Sequence, residues 1–337
     1  MLTTLVVALV GLARALSPTR VAVVTGATKG IGLGIARGLG EAGWRVHITG
    51  RTPSGPGSLE AAARAVEAAG GECVAHAVDH ADAAAIGALF EAVLAAEPDG
   101  VDLLVNNVYP GVDGLGDALR SARTRFWELS PSAFADMSDA SLTAHYAASV
   151  HYARAMVPRA RGLIVMVSSP GGLFYFFTAA YSTGKAALDR LTTDLAHELR
   201  GTGVGCVGLY PGLVATEKFE AFAREGLLGM TPESLAADAE TPLYSGRAVA
   251  ALAEDARRGP EQADALSGTI QWTAEVAVRR GITDEHGRQP LSSRALRKVT
   301  GLAWLPASWV VPWWVLRFLS PRYPNKPAPP LDQSCDS

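Results

Sequence analysis

The sequence is poor in cysteine and has no strong excess of charge of either sign. It contains three cysteines in 337 residues and has a net charge of −3. Three cysteines cannot all pair, so we expect Cys73 and Cys206 to be free thiols in core strands and Cys335 to lie in a polar tail. No disulfide framework or zinc-ligand spacing is present, which makes a reducing compartment the default and predicts no metal site. The small net charge gives no indication of nucleic-acid binding.

Hydrophobic stretches at the N-terminus are short. The apolar run from Leu5 to Ala13 falls below the ~20 residues that a spanning helix needs. It has the length of a signal-peptide core but no basic residues before it. We therefore expect residues 1–18 to form an uncleaved apolar anchor or a packed helix.

From Val21 onward, apolar strands alternate with helical segments. Strands are predicted at 21–25, 44–49, 72–78, 101–107, 162–168 and 203–209, and helices after the first strand and at 59–69, 82–96, 136–157 and 179–200. This alternation is typical of an α/β fold. It predicts a doubly wound parallel sheet over 19–275, with a substrate-loop insertion and an aromatic C-terminal extension.

A glycine-rich turn follows the first strand. Glycines 26, 30 and 32 would let the backbone approach a pyrophosphate at the N-terminus of the next helix. The second strand ends without the Asp or Glu that holds a ribose 2′-hydroxyl. Arg51 follows it instead, and Lys29 precedes the second glycine. Two cations suit a 2′-phosphate, which predicts NADP(H) in preference to NAD(H). The alternative is that both are ordinary surface cations, which would indicate nothing about the cofactor.

Two further strands end in polar residues. Asp79 follows the third strand, where it could meet an adenine ring. Asn106 and Asn107 end the fourth strand and could line the cofactor, brace neighbouring strand ends or form a turn.

Tyr181 and Lys185 are the candidate catalytic pair. They lie four residues apart in a predicted helix and so share one face. A neighbouring ammonium should lower the phenol's pKa, which would make Tyr181 a general acid for a carbonyl or a base for an alcohol. Ser169, twelve positions earlier, could hydrogen-bond the substrate oxygen.

These motifs, in this order, resemble those of the short-chain dehydrogenase/reductase family. They are TGATKGIG (25–32), Asp79, NN (106–107), Ser169, YSTGK (181–185) and PGLVAT (211–216). The resemblance implies a single domain with a Rossmann-type fold. It also implies an NADPH-dependent carbonyl reductase with Tyr181 as acid/base, Lys185 on the nicotinamide ribose and Ser169 polarising the carbonyl, although Ser168 competes for that role. It implies cofactor contacts from Gly26, Thr28, Lys29, Gly30, Ile31, Gly32, Arg51, Asp79, Asn106, Tyr181, Lys185, Pro211, Gly212, Val214 and Thr216.

The chain departs from the family pattern at two places. Val108 and Tyr109 replace the usual Ala-Gly after the asparagine pair, and His145 occupies the position of the family's catalytic asparagine. A histidine can relay protons, but it cannot copy an asparagine that holds a water to the lysine. We include His145 as a candidate relay, with simple packing as the alternative.

Apolar side chains dominate the predicted substrate side. They are Leu173, Phe174, Tyr175, Phe176 and Phe177 in one loop and Phe219, Phe222, Leu227, Leu228 and Met230 in the 212–245 segment. Small-molecule sites are mostly apolar, so we expect a bulky hydrophobic carbonyl substrate such as a steroid, retinoid, lipid aldehyde or xenobiotic ketone. The alternative is that these residues pack a lid or the interface of a homo-oligomer.

The C-terminal extension, 276–320, combines tryptophan with basic residues. Four of the seven tryptophans lie at positions 304, 309, 313 and 314. This pattern is typical of interfacial membrane helices, so we expect association with a membrane facing the cytosol, the endoplasmic reticulum in a eukaryote. A tail packed over the substrate pocket of a cytoplasmic protein is the alternative. The Pro-rich end, 321–337, should be disordered.

Two other functions remain open. A protein that binds NADP(H) as a sensor or scaffold without turnover would also have the glycine-rich turn. An NADP-linked alcohol dehydrogenase would run the same chemistry in reverse.

Overall fold

A single parallel sheet organises the protein. The computed structural model describes residues 19–109, 125–132, 134–135, 139–300, 308–312 and 315. In these residues the strands are β1 (Val21–Val24), β2 (Arg45–Gly50), β3 (Glu72–Ala77), β4 (Leu103–Asn106), β5 (Gly162–Val167), β6 (Val204–Tyr210) and β7 (Ile270–Trp272). They form a sheet in the order β3-β2-β1-β4-β5-β6-β7, with every pairing parallel. The predicted doubly wound α/β fold is confirmed.

Helices cover both faces of the sheet. Within the described ranges they are α1 (Gly30–Glu41), α2 (Leu59–Ala68), α3 (Ala83–Ala96), α4 (Ala144–Met156), α5 (Ala179–Glu198), α6 (Glu217–Arg224), α7 (Pro232–Asp238), α8 (Pro242–Ala256), α9 (Pro260–Leu266), α10 (Thr273–Arg280) and α11 (Leu296–Thr300). A π-helical turn, Asp139–Thr143, precedes α4. The strand β7 and the helices α6 to α9 were not predicted from the sequence.

The strands read as continuous apolar runs because both of their faces are buried. In β1, Val24 faces a cluster that includes Ile35 of α1, and Val23 faces a cluster that includes Phe90 of α3. Two cores therefore lie on opposite sides of one sheet. The sheet is held between them with its carboxyl edge open.

The strand order reverses between β1 and β4, which is where a doubly wound fold opens a crevice. Asn107 braces that point, since its side-chain amide donates to the carbonyls of Thr25 at 2.9 Å and Gly26 at 3.0 Å. These hydrogen bonds hold the turn after β1 against the end of β4 at the base of the crevice.

The predicted boundary between residues 275 and 276 falls inside α10. The next residues are also tied to the domain. Arg294 forms an ion pair with Glu275, and Ala295 pairs with Val310 in an isolated antiparallel bridge. The start of the predicted extension therefore belongs to the body of the fold.

Several predictions fall outside the described residues. They concern the N-terminal segment 1–18, most of the insertion, Trp304, Trp313 and Trp314, and the tail from 316. In the part of the chain that the structure does describe, no helix has the length and apolarity needed to cross a membrane.

Helices α1 and α8 cross with their backbones in close contact. A Cβ added to Gly246 would lie 2.1 Å from the carbonyl oxygen of Gly34, and one on Gly38 would lie 2.4 Å from the carbonyl carbon of Gly246. No side chain fits there. The crossing fixes α1, whose N-terminus faces the crevice.

We expect Gly246→Ala to lower the free energy of unfolding by about 1–3 kcal/mol, because overpacking against backbone forces the helices apart. The control is Gly184→Ala in α5, where an added Cβ meets nothing within 4 Å. Alanine favours a helix over glycine by about 0.5–1 kcal/mol, so this variant should be as stable as wild type or more stable. Urea denaturation measures both. If the two variants had equal free energies of unfolding, the backbones of α1 and α8 could not be in such close contact.

Candidate active site

The end of β5 and the start of α5 bring Ser169 and Tyr181 together. The hydroxyl of Thr178 caps α5 by accepting from the backbone N–H of Tyr181 at 3.1 Å. Ser169 is held by a short turn, in which its Oγ accepts from the N–H of Gly171 at 3.1 Å. The Ser169 Oγ and the Tyr181 hydroxyl then lie 2.8 Å apart. This places two hydroxyls where one carbonyl oxygen could meet both.

Lys185 lies one turn further along α5 with its ammonium in the protein interior. Its Nζ donates to the carbonyl oxygen of Val167 at 3.1 Å. Burial lowers the pKa of Lys185 to about 8, while the charge of Asp189 acts in the opposite direction. The side chain is still mostly protonated at neutral pH, so the site holds a positive charge.

The sequence-based expectation of a lowered Tyr181 pKa is wrong for this arrangement. Burial raises the pKa of Tyr181, and the hydrogen bond from Ser169 offsets this only in part. The Lys185 Nζ lies 6.0 Å from the centroid of the Tyr181 ring and is bonded to Val167 instead. Tyr181 is therefore a neutral phenol, which is a proton donor.

Asp189 is a buried carboxylate that sequence reasoning missed. It lies one turn after Lys185, and one of its oxygens accepts a hydrogen bond from the hydroxyl of Tyr210. Burial raises its pKa to about 6. The hydroxyl of Ser168 donates to the backbone carbonyl of Lys185 at 3.4 Å, and Ser169 is the serine that meets Tyr181. The four-residue spacing of positions 181, 185 and 189 was the signal that could have found it.

His145 is buried at the start of α4 and does not suit the predicted relay. Its Nε2 donates to the carbonyl oxygen of Val108 at 3.0 Å. Burial, together with the charge of Lys185, lowers the pKa of His145 to about 3, so the ring stays neutral. Its other nitrogen, Nδ1, has no hydrogen-bond partner among the described residues. The geometry shows His145 fixing the backbone that follows β4.

Asn106 turns away from the crevice. It is fully buried and its amide donates to the Ser149 Oγ at 3.0 Å and the His145 carbonyl at 3.3 Å. The side chain therefore braces β4 against α4 and offers no exposed surface to a cofactor. Its neighbour Asn107 holds the glycine-rich turn, as described above.

A small cavity lies against Tyr181 and Lys185. Its volume is about 20 Å³, and its described walls include Tyr109 and Leu142. That is room for about one water molecule. A ketone would have to displace one of these walls.

The other predicted cofactor residues lie along one edge of the sheet. Gly26, Thr28, Lys29, Gly30, Ile31 and Gly32 follow β1, Arg51 follows β2, Asp79 follows β3, and Pro211, Gly212, Val214 and Thr216 follow β6. Parallel strands bring their carboxyl ends together, so these residues surround the switch point. Lys29, Arg51 and Asp79 are exposed.

The turn after β1 fits a dinucleotide pyrophosphate. Gly26 and Gly30 have φ of 65° and 58°, which favour glycine. A Cβ on Gly32 would lie 2.3 Å from the Gly26 carbonyl oxygen, so the turn presents bare backbone. A carboxylate oxygen of Glu217 accepts from the Gly30 N–H at 3.1 Å. The helix N-terminus thus already binds an anionic oxygen, the chemistry that a phosphate offers.

The segment after β6 is supported by Glu240, a second carboxylate that sequence reasoning missed. Glu240 is buried, accepts from the backbone N–H of Gly212, and has its pKa raised by burial to about 8. Its backbone also pairs with Val214. No signal in the sequence separates it from the other glutamates of this segment.

The apolar residues of the substrate side divide into two groups. Phe219, Leu228 and Met230 pack against Ala223 and Leu235, as the lid alternative predicts. Tyr175 and Phe176 in the other loop remain exposed, by 67% and 42%. Phe177 lies perpendicular to Tyr181, with the ring centroids 5.2 Å apart.

Comparison with known proteins agrees with this geometry. The profile of the short chain dehydrogenase family matches residues 20–225. Human dehydrogenase/reductase SDR family member 1 is 39% identical over 90% of this chain and 98% of its own length.

Two solved structures give the same fold at lower identity. A Brucella melitensis 3-oxoacyl-[acyl-carrier protein] reductase in complex with NAD has a TM-score of 0.61 at 27% identity and covers 76% of this chain and 96% of its own. A Beutenbergia cavernae putative NAD(P)-dependent gluconate 5-dehydrogenase with bound NADP has a TM-score of 0.59 at 29% identity, over 75% and 94%. The chain belongs to the short-chain dehydrogenase/reductase family and is an oxidoreductase.

Proposed function

We propose that the protein is an NADPH-dependent carbonyl reductase that acts on hydrophobic ketones and aldehydes, with Tyr181 as the acid. The observation that carries the proposal is the 2.8 Å contact between the hydroxyls of Ser169 and Tyr181, with a buried ammonium one turn away. Two hydroxyls and a positive charge are what a developing alkoxide needs.

In the proposed mechanism the protein binds and protonates the substrate oxygen. Ser169 donates a hydrogen bond to the carbonyl oxygen and orients it towards Tyr181. The reduced nicotinamide, when bound, supplies a hydride to the carbonyl carbon. Tyr181 transfers its proton to the oxygen, and the ammonium of Lys185 stabilises the phenolate that remains.

The protonation state of Tyr181 supports reduction. Burial raises the pKa of its phenol, so the acid form needed for reduction dominates at neutral pH. Alcohol oxidation requires the phenolate, which the same burial disfavours. Alcohol oxidation, the reaction of the alternative NADP-linked alcohol dehydrogenase, is therefore less well supported than carbonyl reduction.

The choice of a hydrophobic substrate rests on the loop beside Tyr181. Tyr175 and Phe176 are exposed there, and the ring of Phe177 contacts Tyr181. A bulky apolar carbonyl compound, such as a steroid or a xenobiotic ketone, would bury this surface. Apolar burial contributes about 25 cal/mol per Å², so covering these rings would favour binding of an apolar substrate.

NADPH is proposed over NADH because of two cations. Lys29 is the residue before α1 and Arg51 directly follows β2, and both are exposed at the carboxyl edge. The related structures include one with NAD and one with NADP, so they support either cofactor. A 2′-phosphate would satisfy both cations.

Membrane association stays a separate prediction. It depends on the tryptophan-rich segment, of which Trp309 is exposed and the other three tryptophans lie outside the described residues. The non-catalytic sensor would share the cofactor site but show no turnover.

Replacing Tyr181 by phenylalanine should lower kcat by ~10²–10⁴-fold, because the proton donor is lost while the ring remains. NADPH affinity, measured by quenching of tryptophan fluorescence, should stay within a few-fold of wild type. The assay is NADPH consumption with a panel of hydrophobic ketones and aldehydes.

The matched control is Tyr146→Phe, which removes the hydroxyl of a tyrosine that is 52% exposed on α4. It should keep wild-type turnover. If Tyr181→Phe retains more than about a tenth of wild-type activity, another group is the acid. If wild type consumes no NADPH with any member of the panel but binds the cofactor, the sensor alternative is correct.

The double variant Lys29→Ala/Arg51→Ala should weaken NADPH binding by at least ~10-fold and leave NADH binding within two-fold. Each lost charge-assisted hydrogen bond costs about 1.5–3 kcal/mol, and a 2′-phosphate is present only in NADPH. Calorimetric titration with both cofactors measures the ratio.

The control removes two cations elsewhere. Arg64→Ala/Arg190→Ala deletes two exposed arginines, each in an i,i+4 ion pair on a helix. This variant should not change the NADPH/NADH ratio. Equal losses of NADPH and NADH affinity in the Lys29/Arg51 variant would overturn the preference for NADPH.

A further inference from the structure

Tyr109 lies between the sheet edge and the catalytic pair, at a position where the family usually has glycine. The Nζ of Lys185 lies over its ring, 5.0 Å from the centroid. The same ring is perpendicular to that of Tyr181, at 84° and 5.8 Å between centroids. One side chain therefore contacts both members of the pair.

The backbone that leads into Tyr109 is fixed from two sides. The N–H groups of Asn107 and Val108 donate to the Thr25 Oγ1 at 2.9 and 3.2 Å. The carbonyl of Val108 accepts from the His145 Nε2 at 3.0 Å. The position of the Tyr109 ring thus follows from β1, β4 and α4 together, and His145 contributes through this bond.

A buried ammonium needs compensation for the water that it loses. Lys185 has three donors, and the Val167 carbonyl accepts one of its hydrogen bonds. An aromatic face attracts a desolvated cation through its quadrupole. The Tyr109 ring supplies such a face without adding a second carboxylate to the site.

Other titratable groups also act on Lys185. Asp189, on the same helix, favours the protonated form. His145, on α4, is kept neutral by burial, which lowers its pKa. Tyr181, on α5, is a neutral phenol whose pKa burial raises. Removal of the Tyr109 ring leaves these three groups in place, so its effect on the protonation of Lys185 can be measured separately.

We propose that Tyr109 is a positioning residue: its ring stabilises the ammonium of Lys185, and its contact with Tyr181 holds the phenol beside Ser169. The inference deepens the proposed function, because it names what keeps the charge and the acid of that site in place. It also gives a function to Tyr109, which stands where the family pattern usually has glycine.

The test follows the protonation of Lys185 directly. The chain has five lysines, at positions 29, 185, 218, 298 and 326, so lysine labelled with ¹³C at Cε gives a simple NMR spectrum. The Lys185 signal is assigned with Lys185→Arg, and the other four lysines serve as internal references. The protein is titrated from pH 6 to 11.

Tyr109→Leu should lower the titration midpoint of Lys185 by about one pH unit, because an apolar side chain retains the burial but removes the aromatic face. Tyr109→Phe keeps the ring and should restore the wild-type midpoint. Tyr109→Met repeats the comparison if the leucine variant is not folded, with thermal unfolding as the check.

A purely structural role of Tyr109 predicts a change of the Lys185 titration midpoint in the opposite direction. If Tyr109 only filled space, Tyr109→Ala would admit water, and the midpoint of Lys185 would rise. Phe177→Leu removes the other ring that is perpendicular to Tyr181 and should leave the midpoint unchanged. The proposal is overturned if Tyr109→Leu and Tyr109→Phe give the same midpoint, or if the leucine variant raises it.

A second measurement separates this inference from the proposed function. Tyr109→Leu should lower kcat and shift its pH profile, while Tyr109→Phe should show neither change. If wild type turns over no carbonyl substrate, the proposed function fails, yet the NMR comparison still decides whether Tyr109 stabilises Lys185.

Discussion

The buried ammonium of Lys185 is the constraint on which the rest of the site depends. A positive charge in the interior is unfavourable unless polar groups surround it, and here they come from several elements. The Val167 carbonyl at the end of β5 accepts from it, Asp189 acts on it through its charge, and Tyr109 lies beneath it. The sheet edge and α5 are therefore joined through one side chain, with Tyr181 and Ser169 beside it.

The carboxyl edge of the sheet is where the fold makes such a site possible. Parallel strands release their side chains at one edge, and the reversal between β1 and β4 opens the crevice. Close glycine packing between α1 and α8 then aims a helix N-terminus at the same place. That N-terminus binds a carboxylate oxygen of Glu217, so the anionic part of a cofactor and the reacting carbonyl would meet at one edge.

The sequence predicted the strands β1 to β6, the glycine-rich turn and the placing of Tyr181 and Lys185 on one helix face, because apolar runs and four-residue spacings are local signals. It did not predict how burial changes the pKa values of the side chains in the site. The phenol pKa rises instead of falling, His145 is a neutral buried ring, and Asp189 and Glu240 are buried carboxylates. The burial that shifts each of these pKa values depends on neighbours distant in sequence, which no local pattern records. The ion pair between Glu275 of α10 and Arg294 is a further contact between positions distant in sequence.

The reaction proposed for this site is the reduction of a carbonyl group by a hydride from NADPH. The most direct measurement uses NADPH carrying deuterium at the transferable C4 position, incubated with a hydrophobic aryl ketone, with the product analysed by mass spectrometry and NMR. We expect an alcohol with one deuterium on the former carbonyl carbon and a hydroxyl hydrogen that comes from solvent. Alcohol without deuterium at that carbon, or no alcohol from folded protein with NADPH bound, would contradict it.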